Sequence, residues 1–160
     1  MQRTGLAIVV SLISALPAGA QEFADVLNGV PPEIATSAAA YLEECRSFGT
    51  TVSPTADFIT TVDLNDDNAL DYVIDTDEIN APCFCGSGGC TIEAWVSAGG
   101  GYSKAFESNV REWQVSPKDT LPPLLLVDLH GTACGGVGAD LCLKALVYQD
   151  GKLIDTTAGQ

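Results

Sequence analysis

An oxygen-rich run between two strand-like segments constrains the fold of this 160-residue chain more than any other feature. Side-chain oxygens recur at the first, third, fifth and ninth positions of the run, which are Asp63, Asn65, Asp67 and Asp71. Residues 57–64 alternate in the manner of a strand, and residues 71–75 form a second short, apolar segment. The simplest structure that joins them is a β-hairpin whose loop carries the oxygens.

The spacing of these oxygens predicts a site for a hard cation. Calcium takes six to eight oxygen ligands, and a loop can supply them when alternate side chains turn inward and a backbone carbonyl completes the set. Calcium is therefore the expected cofactor. The alternative is a turn that is rich in Asp and Asn and is held together by its own hydrogen bonds from side chain to backbone. The sequence leaves both interpretations open.

An EF-hand is excluded by the same run. That motif needs a Gly at its sixth position and a Glu at its twelfth, between two helices. Counted from Asp63, these positions hold Asn68 and Ile74, and both flanks are strand-like.

The N-terminus has the features of a secretory signal peptide over residues 1–20. Arg3 supplies a positive start, residues 6–16 are mainly apolar, and Ala18-Gly19-Ala20 provides the small residues of a cleavage site. The apolar run is too short to cross a bilayer, so membrane insertion is not expected. We therefore expect an exported protein, periplasmic or secreted, whose single domain covers residues 21–160.

The cysteines follow the predicted cleavage site, and their number is even. They are Cys45, Cys83, Cys85, Cys90, Cys134 and Cys142. In an exported chain this indicates disulfide bonds, although six cysteines allow fifteen pairings and the sequence alone does not choose among them. We favour two local bonds, Cys85–Cys90 and Cys134–Cys142, with Cys45–Cys83 as the long-range bond. A redox or zinc site is disfavoured because Cys83-Phe-Cys85 is not a C-x-x-C motif.

The composition narrows the classes of partner. The formal net charge is −14, from 21 Asp and Glu against 7 Lys and Arg. A surface this acidic repels nucleic acid and anionic membranes, whereas it is compatible with divalent cations and with a basic protein partner. No nucleic-acid partner is expected, and a protein partner remains possible.

The order of the predicted elements gives an α+β fold. Pro31-Pro32 begins a helix whose apolar face includes Ile34, Leu42 and Cys45, and Gly49 ends it. Strands then follow in hairpins, the last of which turns at Asp150-Gly151. We expect one N-terminal helix packed on a single, mainly antiparallel β-sheet that disulfides stabilise. The other predicted strands are residues 91–96, 102–106, 109–115, 121–129, 141–148 and 153–154.

The acidic run resembles the strand–loop–strand calcium motif of FG-GAP and VCBS-type repeats, D-x-[DN]-x-D-G-x-x-D. The resemblance covers about 20 residues and implies side-chain ligation by Asp63, Asn65, Asp67 and Asp71, with a backbone carbonyl from Ala69. The chain departs from the motif at its Gly, where Asn68 stands, and Asp66 replaces another frequent Gly. Asn tolerates the left-handed conformation better than most residues, so the turn is still expected to form.

The layout of the chain is also similar to that of a group of small exported bacterial proteins without an assigned activity. These pair a D-x-N-x-D loop with a C-G-x-x-G-C segment and a later D-L-H-G-x-x-C segment. Here the last two are Cys85-Gly-Ser-Gly-Gly-Cys90 and Asp128-Leu-His130-Gly-Thr-Ala-Cys134. This resemblance implies a location and a disulfide framework, and no activity.

Two functional alternatives remain beside calcium binding. A small hydrolase would use His130, the only histidine, with Asp128 two residues away, but no nucleophile is evident and no catalytic residue is assigned. An envelope protein-binding module, an inhibitor or adaptor, would present Tyr102 and Phe106 around a glycine turn at 99–101, and its acidic loop would be structural only.

Overall fold

The structure is a computed structural model that describes residues 23–117 and 119–156. The predicted signal peptide, residues 1–20, lies outside the described residues. The first elements are a short helix, α1 (Ala24–Leu27), and a long helix, α2 (Pro32–Ser47). None of the described helices combines the length and the apolar character that are needed to cross a bilayer.

Helix α2 begins and ends where the sequence predicts. Pro32 occupies its first turn, where a missing N–H costs nothing because that group would have no partner within the helix. At the other end, Gly49 adopts a φ of 75° and its N–H donates to the Arg46 carbonyl at 2.8 Å. The buried face of the helix consists of Ile34, Ala38, Leu42 and Cys45.

The first sheet has five antiparallel strands. They are β1 (Ile59–Val62), β2 (Asp71–Asp75), β3 (Cys85–Gly86), β4 (Gly89–Ala98) and β5 (Gly101–Val110). Their order is β1-β2-β4-β3, and β5 also pairs with β4. The predicted hairpins β1–β2 and β4–β5 are both present.

A second antiparallel sheet corrects the expectation of a single one. It contains β6 (Glu112–Val115), β7 (Leu124–Leu129), β8 (Cys142–Gln149) and β9 (Lys152–Asp155), in that order. The predicted strand 109–115 is broken at Arg111, whose backbone N–H donates to the Asp128 carbonyl at 2.8 Å. Pairing with β4 therefore ends at Val110, the last residue of β5, and the chain continues as β6, which pairs with β7 in the other sheet.

The first sheet is buried on both faces, and this produces two hydrophobic clusters. On one face, Tyr72 and Ile74 of β2 pack with helix α2. On the other face, Val73 and the β4 residues 92, 94 and 96 pack against the second sheet. The architecture is therefore three layers, helix, sheet and sheet, and the α+β class with mainly antiparallel strands holds.

Three disulfides join the layers and loops: Cys45–Cys83, Cys85–Cys90 and Cys134–Cys142. These are the pairs that the sequence favours. The first links the buried face of α2 to the segment before β3, with the two Cα atoms 5.5 Å apart. Because disulfides persist in oxidising compartments, the framework indicates an exported protein.

Candidate functional site

The predicted ligands lie in the loop between β1 and β2, residues 63–70, except for Asp71, which is the first residue of β2. Two of the loop residues adopt the left-handed conformation, Asp66 at φ 60° and Asn68 at φ 62°. These are the two positions at which the resembling motif has glycine. Asp and Asn tolerate positive φ better than other side chains, so the loop keeps its turns without glycine.

Short-range hydrogen bonds hold the loop side chains in place. Asp63 Oδ1 accepts from the Asp66 N–H at 2.8 Å, and Asn65 Oδ1 accepts from the Asp67 N–H at 3.2 Å. Asp67 Oδ1 accepts from the Ala69 N–H at 2.7 Å. The geometry therefore matches the alternative of a self-contained Asx turn, and it also orients these side chains along one loop.

Asp71 connects the loop to β4, and its side chain is fully buried. Its Oδ2 accepts from the Leu64 N–H at 2.7 Å, and its Oδ1 accepts from the N–H and the hydroxyl of Ser97 at 2.8 and 2.9 Å. Burial raises the pKa of Asp71 above its usual value, and the hydrogen bonds from Ser97 and Leu64 only partly offset this. A buried carboxylate with neutral partners alone is a position that an added cation would stabilise.

Ser97 is a site residue that the sequence reasoning missed. It lies on β4, and its hydroxyl reaches Asp67 Oδ2 at 3.1 Å as well as Asp71 Oδ1. A hydroxyl has one proton, so it can donate to only one of the two carboxylates at a time. No sequence signal marks Ser97, because its role depends on the pairing of β2 with β4.

Asp67 is exposed and remains readily ionised. The Ala69 N–H holds the pKa of its carboxyl below the usual value, and the Asn65 amide and the Ser97 hydroxyl act in the same direction. The Asn65 amide donates to Asp67 Oδ2 at 2.9 Å and to the Ser97 carbonyl at 3.1 Å, which connects the loop to β4.

The loop concentrates negative charge. Its four carboxylates belong to Asp63, Asp66, Asp67 and Asp71. Among residues 23–117 and 119–156, no Lys or Arg forms an ion pair with any of them. The oxygen-only donor set suits a hard divalent cation such as calcium. The carboxylates of the three predicted aspartate ligands do not all lie within 4.8 Å of one another, so ligation would require side chains to rotate inward.

A different acidic group lies beside a disulfide. Within the described part of the chain, Asp77, Cys85 and Cys90 form the one group of acidic, thiol or imidazole side chains whose ligand atoms all lie within 4.8 Å. Both sulfurs are joined in the Cys85–Cys90 bond, so they offer no thiolate to a metal. The group supplies a single carboxylate ligand while that bond is intact.

His130 lacks the partners that the hydrolase hypothesis requires. Its Nδ1 lies 2.8 Å from Thr132 Oγ1, and Gly138 packs against its other ring nitrogen. Asp128 is engaged elsewhere, since it accepts from the Cys142 N–H at 3.1 Å and pairs with Arg111 at 3.5 Å. The ring therefore packs between loops, and in the described part of the chain its hydrogen-bonding partner is the Thr132 hydroxyl rather than a carboxylate.

Tyr102 and Phe106 do not form the shared patch that the binding-module hypothesis requires. The register of β4 with β5 shifts between Ala94 and Trp95, because Ala105 is an extra residue opposite them. A bulge of this kind reverses the facing of the residues beyond it. Tyr102 consequently packs with the helix-side cluster, and Phe106 packs between the two sheets.

A concave site lies where the chain passes from β5 into β6. It encloses about 620 Å³, and we refer to it as the acidic groove. Its lining residues are Asp75, Asp77, Gly86, Ser87, Gly89, Cys90, Val110, Arg111, Glu112 and Trp113. The sequence gives no indication that residues 110–113 lie beside Asp75 and Asp77, because this arrangement depends on long-range packing.

The chain was compared with protein-family models, with curated proteins and with solved structures, and none of them matches it.

Proposed function

We propose that this is an exported, periplasmic or secreted calcium-binding protein in which the β1–β2 loop holds the ion and three disulfides stabilise the domain. The observation that carries the proposal is the loop's uncompensated charge. Four carboxylates lie within nine residues, one of them buried, and no described basic side chain pairs with them. Such a concentration of like charge is unfavourable unless a cation offsets it.

In this proposal Asp63, Asn65, Asp67 and Asp71 supply side-chain oxygens and Ala69 supplies a backbone carbonyl. Calcium would offset two of the loop's four negative charges and would compensate the buried charge of Asp71. Ser97 positions two of these carboxylates, so an ion in the loop would also fasten the β1–β2 hairpin to β4. The role is thus structural stabilisation by a hard cation rather than catalysis.

Calorimetric titration of the protein with calcium, after removal of divalent ions with EDTA, tests the proposal. The informative variant is Asp67→Asn, since it removes one ligand charge while keeping a side-chain oxygen. The matched control is Asp66→Asn, because Asp66 is exposed in the same loop, is not a predicted ligand, and has a φ that Asn tolerates. We expect Asp67→Asn to weaken calcium binding by about tenfold or more, and Asp66→Asn to weaken it by much less.

Two results would contradict the proposal. One is the absence of binding heat at millimolar calcium with the unaltered protein. The other is an equal loss of affinity in both variants, because equal losses indicate diffuse attraction of cations to an acidic loop rather than ligation at defined positions.

A further inference from the structure

The acidic groove is separate from the proposed calcium loop. Ser97, near one end of β4, contacts the loop, while Cys90, near the other end, lines the groove. The two residues are seven positions apart along the extended strand, a distance of roughly 23 Å. The two sites can therefore be altered independently of each other.

The groove carries net negative charge. Asp75, Asp77 and Glu112 contribute three carboxylates. The single basic side chain of the lining, Arg111, pairs with Asp128 and donates to the carbonyls of Gly138 and Asp140. Its guanidinium is thus directed toward the loop before β8. Of the described Lys and Arg residues, none forms an ion pair with the three groove carboxylates.

Asp75 and Trp113 form a fixed wall of the groove. Trp113 Nε1 donates to Asp75 Oδ2 at 2.7 Å, and the Asp77 N–H donates to Asp75 Oδ1 at 3.0 Å. These contacts orient the half-buried carboxylate and the indole ring side by side. The side chains of Asp77 and Glu112 are exposed. An indole beside carboxylates is an arrangement that favours an ammonium or guanidinium group, through charge attraction and cation–π contact.

The groove adjoins an unpaired strand edge. In the described part of the chain, β6 pairs with β7 on one side only. The Ser116 N–H donates to the Leu124 carbonyl, so by alternation the backbone groups of Trp113 and Val115 point away from β7. An extended segment of another chain could hydrogen-bond to these groups while its side chains reach the groove.

We propose that the acidic groove is a docking site for a Lys- or Arg-bearing extended segment of a partner protein, which adds to the free edge of β6 and places its cationic side chain against Trp113, within reach of the groove carboxylates. Charge complementarity selects this occupant, because the groove offers three carboxylates and no uncommitted cation. This surface includes neither Tyr102 nor Phe106, and it does not depend on calcium in the β1–β2 loop.

The test is a titration of the protein with peptides, in buffer without divalent ions, in which NMR spectra of the protein amides monitor binding. The probe is a short capped peptide of alternating Thr and Val with one central Lys, and its matched control has Gln in place of the Lys. We expect the Lys peptide to bind about tenfold more tightly or better, to weaken with added salt, and to shift the amides of Trp113, Val115 and Asp77. We expect the double variant Asp77→Asn and Glu112→Gln to lose that preference. Glu107→Gln, an exposed acidic position outside the groove lining, should retain it.

Equal affinity for the Lys and Gln peptides would overturn the proposal, and so would shifts centred on residues 63–71. Free n-butylammonium is the third probe. If it binds as tightly as the Lys peptide and causes the same shifts, the occupant is a small amine rather than a protein segment, and the docking proposal fails. If it binds much more weakly, the backbone pairing along β6 is supported.

Discussion

At the scale of single residues, Glu93 is the polar centre of the interface between helix and sheet. Its side chain is 3% exposed, and its carboxylate accepts from Ser37, Tyr41, Trp95 and Lys104 at 2.7 to 2.9 Å. Burial alone would raise the pKa of Glu93, but the hydrogen bonds, above all that from Lys104, outweigh it and lower the pKa below its usual value. Burial raises the pKa of Tyr41, and its hydrogen bond to Glu93 acts in the same direction.

Replacing Glu93 should therefore destabilise the fold in a pH-dependent way. An amide cannot accept from four donors, so we expect Glu93→Gln to reduce the free energy of unfolding by about 2–4 kcal/mol near neutral pH. Because the folded pKa is depressed, the carboxylate contributes its stability above the unfolded Glu pKa of about 4.3, and this is lost as the pH falls through the folded pKa. Chemical denaturation of the unaltered protein and of Glu93→Gln at several pH values checks this. The difference between their free energies of unfolding should become smaller as the pH falls from neutral to acidic.

Glu107→Gln is the matched control for this prediction. Glu107 also pairs with Lys104, at 2.5 Å, but its side chain is 50% exposed. We expect that variant to lose less than about 1 kcal/mol, as exposed ion pairs do. Equal losses in the two variants would show that Lys104, rather than the buried hub around Glu93, is the source of the stability.

At the scale of elements, local patterns in the sequence predicted most of the segments, and long-range pairing decided the rest. Helix α2 and the β1–β2 and β4–β5 hairpins follow from periodicity and turn residues, which act over a few positions. The second sheet could not be predicted this way. Its start depends on the Arg111 N–H, which bonds to a carbonyl 17 positions away at Asp128. The role of Ser97 was missed for the same reason, since it depends on strands that pair far apart in sequence.

The Cys45–Cys83 bond gives a prediction at the level of elements. It links α2 to the segment before β3 across a sequence separation of 38, whereas Cys134–Cys142 spans 8. In the chain-entropy model, these loops correspond to about 4 and about 2.6 kcal/mol of stabilisation. We expect replacement of both cysteines by Ala to cost more stability for the first pair than for the second, as measured by denaturant unfolding. Equal or reversed losses would mean that local strain or packing outweighs the entropy of the unfolded chain.

At the scale of the whole molecule, the net charge of −14 and the proposed calcium loop both couple stability to the ions in solution. Added sodium chloride screens repulsion among all exposed acids, and it should raise the Tm gradually as the Debye length shortens. Calcium bound at one site acts by mass action instead, so its effect follows the ratio of its concentration to the Kd. The effects of calcium and of sodium chloride on the Tm can therefore be distinguished by thermal melting at matched ionic strength.

The decisive comparison is the rise in Tm that calcium causes beyond that of sodium chloride at equal ionic strength. We expect this excess in the unaltered protein, its persistence in Asp66→Asn, and a clear reduction of it in Asp67→Asn, because only the last removes a ligand charge. EDTA should abolish the excess without changing the response to sodium chloride. If calcium and sodium chloride act alike at every matched ionic strength, the loop is an acidic turn stabilised by its own hydrogen bonds, and general screening accounts for the dependence of stability on ions.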